Sequence, residues 1–237
     1  MADGLRLAGV GVVTVPALRA ERLYRFYRSG EEETMALRGV SLAIDAGELV
    51  VVAGPSGSGK STLLACLSGL DEPDGGFVHV GADRISHRAE RDRAALRAGR
   101  IGVLLQTGNL LPHLSVAQNI ELAQRLSGRG TRPSPTRLLD SLGMADRAAA
   151  RPGSLSGGES IRAGLAVALA NAPTVLLADE PTGELDDDTE SLVLALLRRR
   201  ADEGCAVLVV SHSAAVAHRA DRVLRLHDGL IEAGEAA

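Results

Sequence analysis

The residues best suited to chemistry lie in one glycine-rich stretch, GPSGSGKST. It fits the pattern GxxxxGK[ST] of a phosphate-binding P-loop, follows a strand-like apolar run and opens a helical pattern. In such a loop the glycines let backbone N–H groups surround a β-phosphate, Lys60 neutralises the β and γ oxygens, and the Ser61 hydroxyl binds Mg²⁺. The expected nucleotide-binding residues are Gly54, Pro55, Ser56, Gly57, Ser58, Gly59, Lys60, Ser61 and Thr62.

Lys60 is the only lysine of the chain. The sequence has 26 basic residues, so the other 25 (26 − 1) are arginines. A compact ammonium group on a flexible stem fits among phosphate oxygens better than a planar guanidinium does. We therefore expect Lys60→Arg to abolish nucleotide hydrolysis.

Polar side chains end three further strand-like runs. TVLLADE ends in Asp179 and Glu180, IGVLLQ ends in Gln106, and AVLVVSH ends in His212. Each alone is compatible with an ordinary surface residue, but parallel strands deliver such residues to one edge of a sheet. Together with the P-loop, Asp179 and Gln106 are expected near Mg²⁺. Glu180 then faces an attacking water, and His212 contacts the γ-phosphate.

The apolar pattern predicts strands that alternate with helices. The strand-like runs ELVVVAG, RIGVLLQ, TVLLADE and CAVLVVSH alternate with helical patterns in GKSTLLACLSGL, SIRAGLAVALA and DDDTESLVLALLRRRADEG. This order indicates an α/β fold with a parallel sheet, whose ligands bind at the carboxyl ends of the strands. Residues 17–50 and 75–85 predict short antiparallel strands, and residues 107–160 predict a helical insertion.

Composition and charge limit the classes of protein to which the chain can belong. Its 237 residues are 45% hydrophobic, enough for a single domain over residues 1–237. A net charge of −4 gives no sign of nucleic-acid binding, and no apolar run reaches the ~18 residues of a transmembrane helix. Cys66 and Cys205 lie far apart in apolar segments, so we expect both to be buried free thiols of a protein from a reducing compartment. For the N-terminal extension, residues 1–16, an extra β-rich edge is favoured over a secretion signal.

Two features of the sequence allow more than one interpretation. LSGGESIRAGLAVALA starts a helix with Ser156, Gly157 and Gly158, a turn that holds anions on backbone N–H groups, although the P-loop already supplies such a site. Three of the four aromatic residues lie in YRFY. Tyr27 in that segment suits either packing in a β edge or stacking on an adenine.

The P-loop, Gln106, LSGGE, LLADEPTGELD and His212 follow one another in the order of an ATP-binding cassette. The chain resembles an ATPase subunit of an ABC transporter over nearly its full length. LRGVSLAIDAGELVVVAGPSGSGKSTLLACLSGLDEPDGG and IGVLLQTGNLLPHLSVAQNI look like the macrolide-export and lipoprotein-release group (MacB-like, LolD-like), with the cell-division FtsE type close by. The resemblance implies a P-loop NTPase fold: a RecA-like parallel-sheet core (17–106 and 161–237), an antiparallel β subdomain and an inserted helical subdomain (107–160).

The resemblance also implies ATP and Mg²⁺ as ligands and a head-to-tail dimer with a second copy or a homologous cassette. Each ATP would lie between the P-loop of one subunit and residues 156–158 of the other, where they contact the γ-phosphate. Tyr27 is then the adenine-stacking residue, Asp186 lies at the dimer seam, and Glu180 is the general base.

An integral membrane permease is the implied partner, which places the chain at the cytoplasmic face of the cell membrane, with no nucleic acid expected. Leu110, Leu111 and Pro112 are candidate permease contacts, with buried packing as an equal alternative. The alternative function is a soluble or cell-division regulatory ABC ATPase that is not coupled to transport.

The helix after LSGG departs from the family pattern at three positions. Family members usually carry glutamine where this chain has Glu159 and Ile161, and arginine where it has Val167, whereas Arg162 is retained. These changes leave the backbone donors intact. Glu159 adds a negative charge near ATP, so slow turnover is expected unless this side chain points to solvent.

Overall fold

The computed structural model describes residues 15–29, 32–128, 132–183 and 185–232, without the side chains of Ser29 and Glu32. The β edge expected within residues 1–16 lies almost entirely outside these ranges. Across the described ranges, no helix combines the length and apolar character needed to cross a membrane.

The described parts of the chain form ten strands and seven helices. The strands are β1 (Leu18–Ser29), β2 (Glu32–Ile44), β3 (Leu49–Ala53), β4 (Gly75–Val80), β5 (Asp83–Arg84), β6 (Ile101–Leu104), β7 (Val175–Asp179), β8 (Ala206–Val210), β9 (Arg222–His227) and β10 (Leu230–Glu232). The helices are α1 (Lys60–Ser68), α2 (Glu90–Arg100), α3 (Val116–Ser127), α4 (Pro135–Ser141), α5 (Gly157–Ala168), α6 (Asp187–Asp202) and α7 (Ala214–His218). Two 3₁₀ turns, Ala145–Arg147 and Pro152–Ser154, lie between α4 and α5.

Six strands form a central sheet in the order β10-β9-β3-β8-β7-β6. Every neighbouring pair is parallel except β9 with β10, so the predicted parallel sheet is confirmed. The four apolar runs of the sequence form β3, β6, β7 and β8, because strands covered on both faces need apolar side chains at nearly every position. The segment RVLRLH, which forms β9, gives no such signal because Arg222 and Arg225 interrupt it.

A second, antiparallel sheet has the order β2-β1-β4-β5. Its antiparallel pairing agrees with the sequence, but β1 and β2 have 12 and 13 residues, so the prediction of short strands is wrong for this pair. The pair bends at register shifts, one of them between Ala20 and Leu23, where Arg22 has a φ of 47°. Because charged residues interrupt the apolar pattern of both strands, the length of the strands cannot be recognised from apolar runs in the sequence.

The central sheet separates two hydrophobic cores. Leu49 and Val51 of β3 face the core formed with α3 to α7, whereas Val50 and Val52 face the core formed with α1 and the antiparallel sheet. Because a hydrophobic core covers each face of the central sheet, the strands are held in register. The carboxyl ends of β3, β6, β7 and β8 therefore meet at one edge, where the polar loops begin.

The two cysteines are buried, one in each core. Cys66 packs on the side of α1, and Cys205 packs on the opposite side. Both are free thiols, and burial raises their pKa values to about 12 for Cys66 and about 11 for Cys205. A buried neutral thiol is a poor nucleophile, so both residues act as small apolar side chains, as predicted.

Candidate active site

The loop between β3 and α1 carries the P-loop pattern, and its shape requires glycine at two positions. Gly59 has a φ of 103°, and a Cβ atom there would lie 2.4 Å from the carbonyl oxygen of Ala36. A Cβ atom on Gly54 would lie 2.1 Å from the carbonyl oxygen of Leu226. The two glycines therefore let the loop lie directly against β2 and β9.

Lys60, the first residue of α1, reaches back over this loop. Its Nζ donates to the carbonyl oxygens of Gly54 at 2.9 Å and Pro55 at 2.8 Å. Ser58 turns inward: its side chain is buried, and its Oγ has no hydrogen-bond partner among the described residues. The Lys60 ammonium group therefore lies over the P-loop. The Ser58 hydroxyl, in contrast, does not reach the outer surface of the loop.

A cavity of about 650 Å³, here called the P-loop cavity, opens beside this loop. It brings together most of the residues that the sequence predicts for the site. Those in its lining are Tyr27, Ser56, Gly57, Gly59, Lys60, Ser61, Thr62, Gln106, Asp179, Glu180 and His212. Gly54, Pro55 and Ser58 belong to the same loop without lining the cavity, and the predicted residues at 156–158 and 186 lie outside it.

The two acids at the end of β7 have different surroundings. Asp179 is half-buried, and this burial raises its pKa above the ordinary value, although a hydrogen bond with Ser61 and the charge of Lys60 oppose the shift. Glu180 has a φ of 44°, a left-handed conformation that is uncommon for a residue with a Cβ atom. Its N–H donates to the carbonyl oxygen of Val210 at 2.9 Å, which fixes the turn at the strand end.

The loop after β8 contacts the carboxylate of Glu180. Nδ1 of His212 lies 2.9 Å from Oε1 of Glu180, and Oγ of Ser211 donates to Oε2 at 3.2 Å. The His212 side chain is 74% exposed, whereas that of Glu180 is 15% exposed. Glu180 is therefore held in place by two neighbours from one loop, and the His212 ring stays open to the cavity.

Residues 156–158, here called the signature turn, begin α5. Oγ of Ser156 accepts from the N–H of Glu159 at 3.2 Å, and the N–H of Ser156 donates to Oε2 of Glu159 at 2.9 Å. This capping box leaves the N–H groups of Gly157 and Gly158 without acceptors inside the helix. It also leaves the hydroxyl proton of Ser156 free, because only the oxygen takes part in the cap. The turn thus presents three donors to an outside anion.

The carboxylate of Glu159 points into this turn and is only 16% exposed. Besides the cap, its Oε1 accepts from Nε of Arg147 at 2.8 Å. The N–H of Ser156 and the guanidinium of Arg147 hold the pKa of Glu159 below its usual value. The extra negative charge noted in the sequence is therefore present but paired.

The start of α5 packs against the start of α6. A Cβ atom on Gly158 would lie 2.4 Å from Cγ2 of Thr189, whereas one on Gly157 would meet nothing closer than Cδ2 of Leu185 at 3.9 Å. Asp186 caps α6: its Oδ1 accepts from the Thr189 N–H at 3.0 Å and its Oδ2 from the Thr189 hydroxyl at 2.9 Å. Thr189 thus packs against the signature turn and hydrogen-bonds to the exposed Asp186.

Residues 37–183 match the ABC transporter family. The chain belongs to this family. It is 41% identical over 221 residues to the lipoprotein-releasing system ATP-binding protein LolD 1 of Rhodospirillum rubrum, covering 92% of this chain and 98% of that protein. It is 42% identical over 219 residues to the macrolide export ATP-binding/permease protein MacB 1 of Yersinia pestis, covering 91% of this chain and 34% of that protein.

The chain therefore spans about a third of the macrolide-export relatives, at 34% coverage, and almost all of the lipoprotein-releasing one. A solved dimeric structure of the bacterial ABC transporter cassette MJ0796 is similar to this ABC cassette with a TM-score of 0.84 and 36% identity, covering 92% of this chain and 98% of that one. These comparisons confirm the predicted fold class and the resemblance to the MacB-like and LolD-like group.

Tyr27 of the cassette has neighbours that the sequence alone does not reveal. Its hydroxyl donates to Oδ2 of Asp71 at 2.9 Å, and the guanidinium carbon of Arg25 lies 4.8 Å from the centre of its ring. Arg25 also binds Asp71 through Nε and Nη2, both at 2.9 Å. The ring is thus held by an ion pair while 41% of Tyr27 remains exposed beside the cavity.

Glu190 of α6 joins the loops that follow β7 and β8. Its Oε1 accepts from the hydroxyls of Thr182 at 2.9 Å and Ser213 at 3.1 Å. Thr182 lies two positions after Glu180, and Ser213 directly follows His212. In the sequence Glu190 is one of several acids at the start of a helix, so only the fold distinguishes it from its neighbours.

Proposed function

We propose that this cassette is an ATP-binding and ATP-hydrolysing subunit of an ABC transporter complex. The proposal depends on one observation: Lys60, Glu180 and His212 line a single cavity beside the P-loop. A phosphate-binding lysine, a carboxylate that can take a proton from water and a histidine that can contact the γ-phosphate are groups that suit phosphoryl transfer to water. MJ0796 has also been solved in a post-hydrolysis state bound to ADP and Pi, at 35% identity and a TM-score of 0.84, which supports the same chemistry here.

Each side chain has a role that suits its position. Tyr27 stacks on the adenine, and Lys60 neutralises the β and γ oxygens from the mouth of the P-loop. Glu180 accepts a proton from the attacking water. His212 contacts the γ-phosphate, and with Ser211 it keeps the Glu180 carboxylate in one orientation. ATP hydrolysis then depends on the positioning of the attacking water and on the stabilisation of negative charge on the phosphate oxygens.

The site also fits Mg²⁺. The hydroxyl of Ser61 meets the carboxylate of Asp179, and Gln106 lines the same cavity, which provides the oxygen ligands that this ion prefers. Burial makes the charged form of Asp179 costly, and a nearby cation offsets that cost. When bound, Mg²⁺ supplies positive charge that offsets the negative charge of the triphosphate.

The signature turn extends the proposal to a head-to-tail dimer. Its three donors lie outside the P-loop cavity of their own chain, so they suit the γ-phosphate of an ATP bound by the partner, with Asp186 at the seam. The dimeric structure of MJ0796 supports this arrangement. ATP binding would close the dimer, and hydrolysis would reopen it.

A membrane permease is the proposed partner, at the cytoplasmic face of the cell membrane, because the relatives described above are a lipoprotein-releasing ATP-binding protein and an ATP-binding/permease protein. Leu111 and Pro112 are exposed and suit this contact, whereas Leu110 packs against the core. Beside α2 and α3 lies an apolar groove of about 660 Å³, with Leu126 72% exposed at its side. We assign this groove to a helix of the permease.

Three proteins test the proposal: the unaltered chain, Glu180→Gln and Lys60→Arg. The unaltered chain is expected to hydrolyse ATP, Glu180→Gln to form a stable ATP-bound dimer without turnover, and Lys60→Arg to show no hydrolysis. An unaltered chain that neither hydrolyses ATP nor dimerises with it would refute the proposal. Co-purification with an integral membrane protein favours transport, and co-purification with ribosomes or nucleic acid favours the soluble alternative.

A further inference from the structure

We propose that Arg147 is a positioning residue for the signature turn. Its guanidinium neutralises Glu159, so that the start of α5 keeps its attraction for the γ-phosphate of the partner's ATP. The inference rests on the proposed function, because that phosphate belongs to a second subunit. It explains how this cassette can carry an acid at position 159.

Arg147 reaches Glu159 from a separate segment of the chain. It ends a 3₁₀ turn and lies 12 positions before Glu159, with 2.8 Å between Nε and Oε1. Its other acidic neighbour, Asp146, is 4.0 Å away and 80% exposed, so the pairing with Glu159 is the closer one. The nearby cation Arg162 hydrogen-bonds to carbonyl oxygens: its Nη1 donates to Leu142 and Gly143 at 3.2 and 3.1 Å, and its Nε to Gly158 at 3.4 Å.

The capping geometry explains why the charge needs a partner. The N–H of Ser156 binds the Glu159 carboxylate, so this bond would keep the acid ionised even without Arg147. A carboxylate in the first turn interacts favourably with the helix dipole, but an unpaired one would cancel part of the positive potential with which the turn attracts a phosphate. Like charges that face each other across an interface weaken association. Arg147 removes this repulsion by neutralising Glu159.

A double-mutant cycle on the full chain separates this role from a purely structural one. The four proteins are the unaltered chain, Arg147→Ala, Glu159→Gln and the double variant, assayed for kcat and KM of ATP hydrolysis. Arg147→Ala is expected to lower kcat/KM at least about fivefold when Glu159 is present. In the Glu159→Gln background the loss should stay below about twofold, because glutamine keeps an oxygen for the Ser156 N–H but carries no charge.

Two further measurements sharpen the test. Arg147→Lys should retain most of the activity, because lysine keeps the positive charge beside Glu159. The same cycle in a Glu180→Gln background measures ATP-driven dimerisation directly. Arg125→Ala is the matched control, since Arg125 is 78% exposed on α3 and has its own acidic neighbour, Glu121, at 3.4 Å.

The outcomes are distinct. Equal losses from Arg147→Ala in the unaltered chain and in the Glu159→Gln background would show that Arg147 only supports the local fold, and would overturn the inference. No loss in either background would overturn it as well. If the unaltered chain neither hydrolyses ATP nor dimerises, the proposed function itself fails and this inference fails with it.

Discussion

Gly158 is expected to be required for packing within a single subunit, independently of any phosphate. A Cβ atom there would lie 2.4 Å from Cγ2 of Thr189, and Thr189 is held by two hydrogen bonds to Asp186. Thr189 cannot rotate away without losing its hydroxyl bond to Asp186. Because carbon atoms pack at about 3.5–4.0 Å, Gly158→Ala must move the starts of α5 and α6 apart by about 1 Å.

The magnitude follows from two opposing effects. Overpacking of this kind costs about 1–3 kcal/mol, and alanine gains about 0.5–1 kcal/mol over glycine in a helix. At a separation of 2.4 Å the upper half of the overpacking range applies, about 2–3 kcal/mol. The free energy of unfolding is therefore expected to fall by about 1–2.5 kcal/mol, which lowers Tm by about 2–10 °C in a protein of this size. Gly157→Ala is the matched control, because its nearest contact is at 3.9 Å and no loss is expected.

Urea denaturation of the nucleotide-free protein measures this effect. Thr189→Ser removes the clashing methyl group but keeps the hydroxyl that binds Asp186. In that background Gly158→Ala is expected to be neutral or slightly stabilising. A Gly158→Ala protein as stable as the unaltered chain would refute the packing argument, and so would equal losses in the two backgrounds.

Two further predictions concern residues that position the site. Glu190→Ala leaves the hydroxyls of Thr182 and Ser213 without their common acceptor, so kcat is expected to fall about fivefold with KM for ATP unchanged, whereas Glu190→Gln keeps most of the rate. A steady-state assay that shows a change in KM alone would contradict this. Arg25→Ala removes the cation beneath Tyr27 and is expected to weaken ATP binding about two- to fivefold, without affecting inorganic tripolyphosphate, which has no base to stack. Calorimetry with both ligands checks this, and an equal loss for both would count against a role in base stacking.

The sequence predicted the central sheet well, because β3, β6, β7 and β8 are continuous apolar runs. It also placed Asp179 and His212 at one sheet edge, since Asp179 ends such a run and His212 lies two positions after another. It could not reveal contacts such as Ser211 with Glu180, 31 positions apart, or Arg25 with Asp71, 46 positions apart. These are ordinary polar residues without periodicity, and only the folded chain brings them together.

Lys60 also determines how this protein would react with reagents that modify primary amines. Apart from a chain terminus, the sequence offers an acylating reagent no other primary amine, because every remaining basic side chain is a guanidinium or an imidazole. That amine lies on the carbonyl oxygens of Gly54 and Pro55, inside the site where a nucleotide would bind. The yield of label on the Lys60 side chain would therefore report the occupancy of the P-loop, and amine-directed crosslinkers would leave the rest of the folded surface unmodified apart from that terminus.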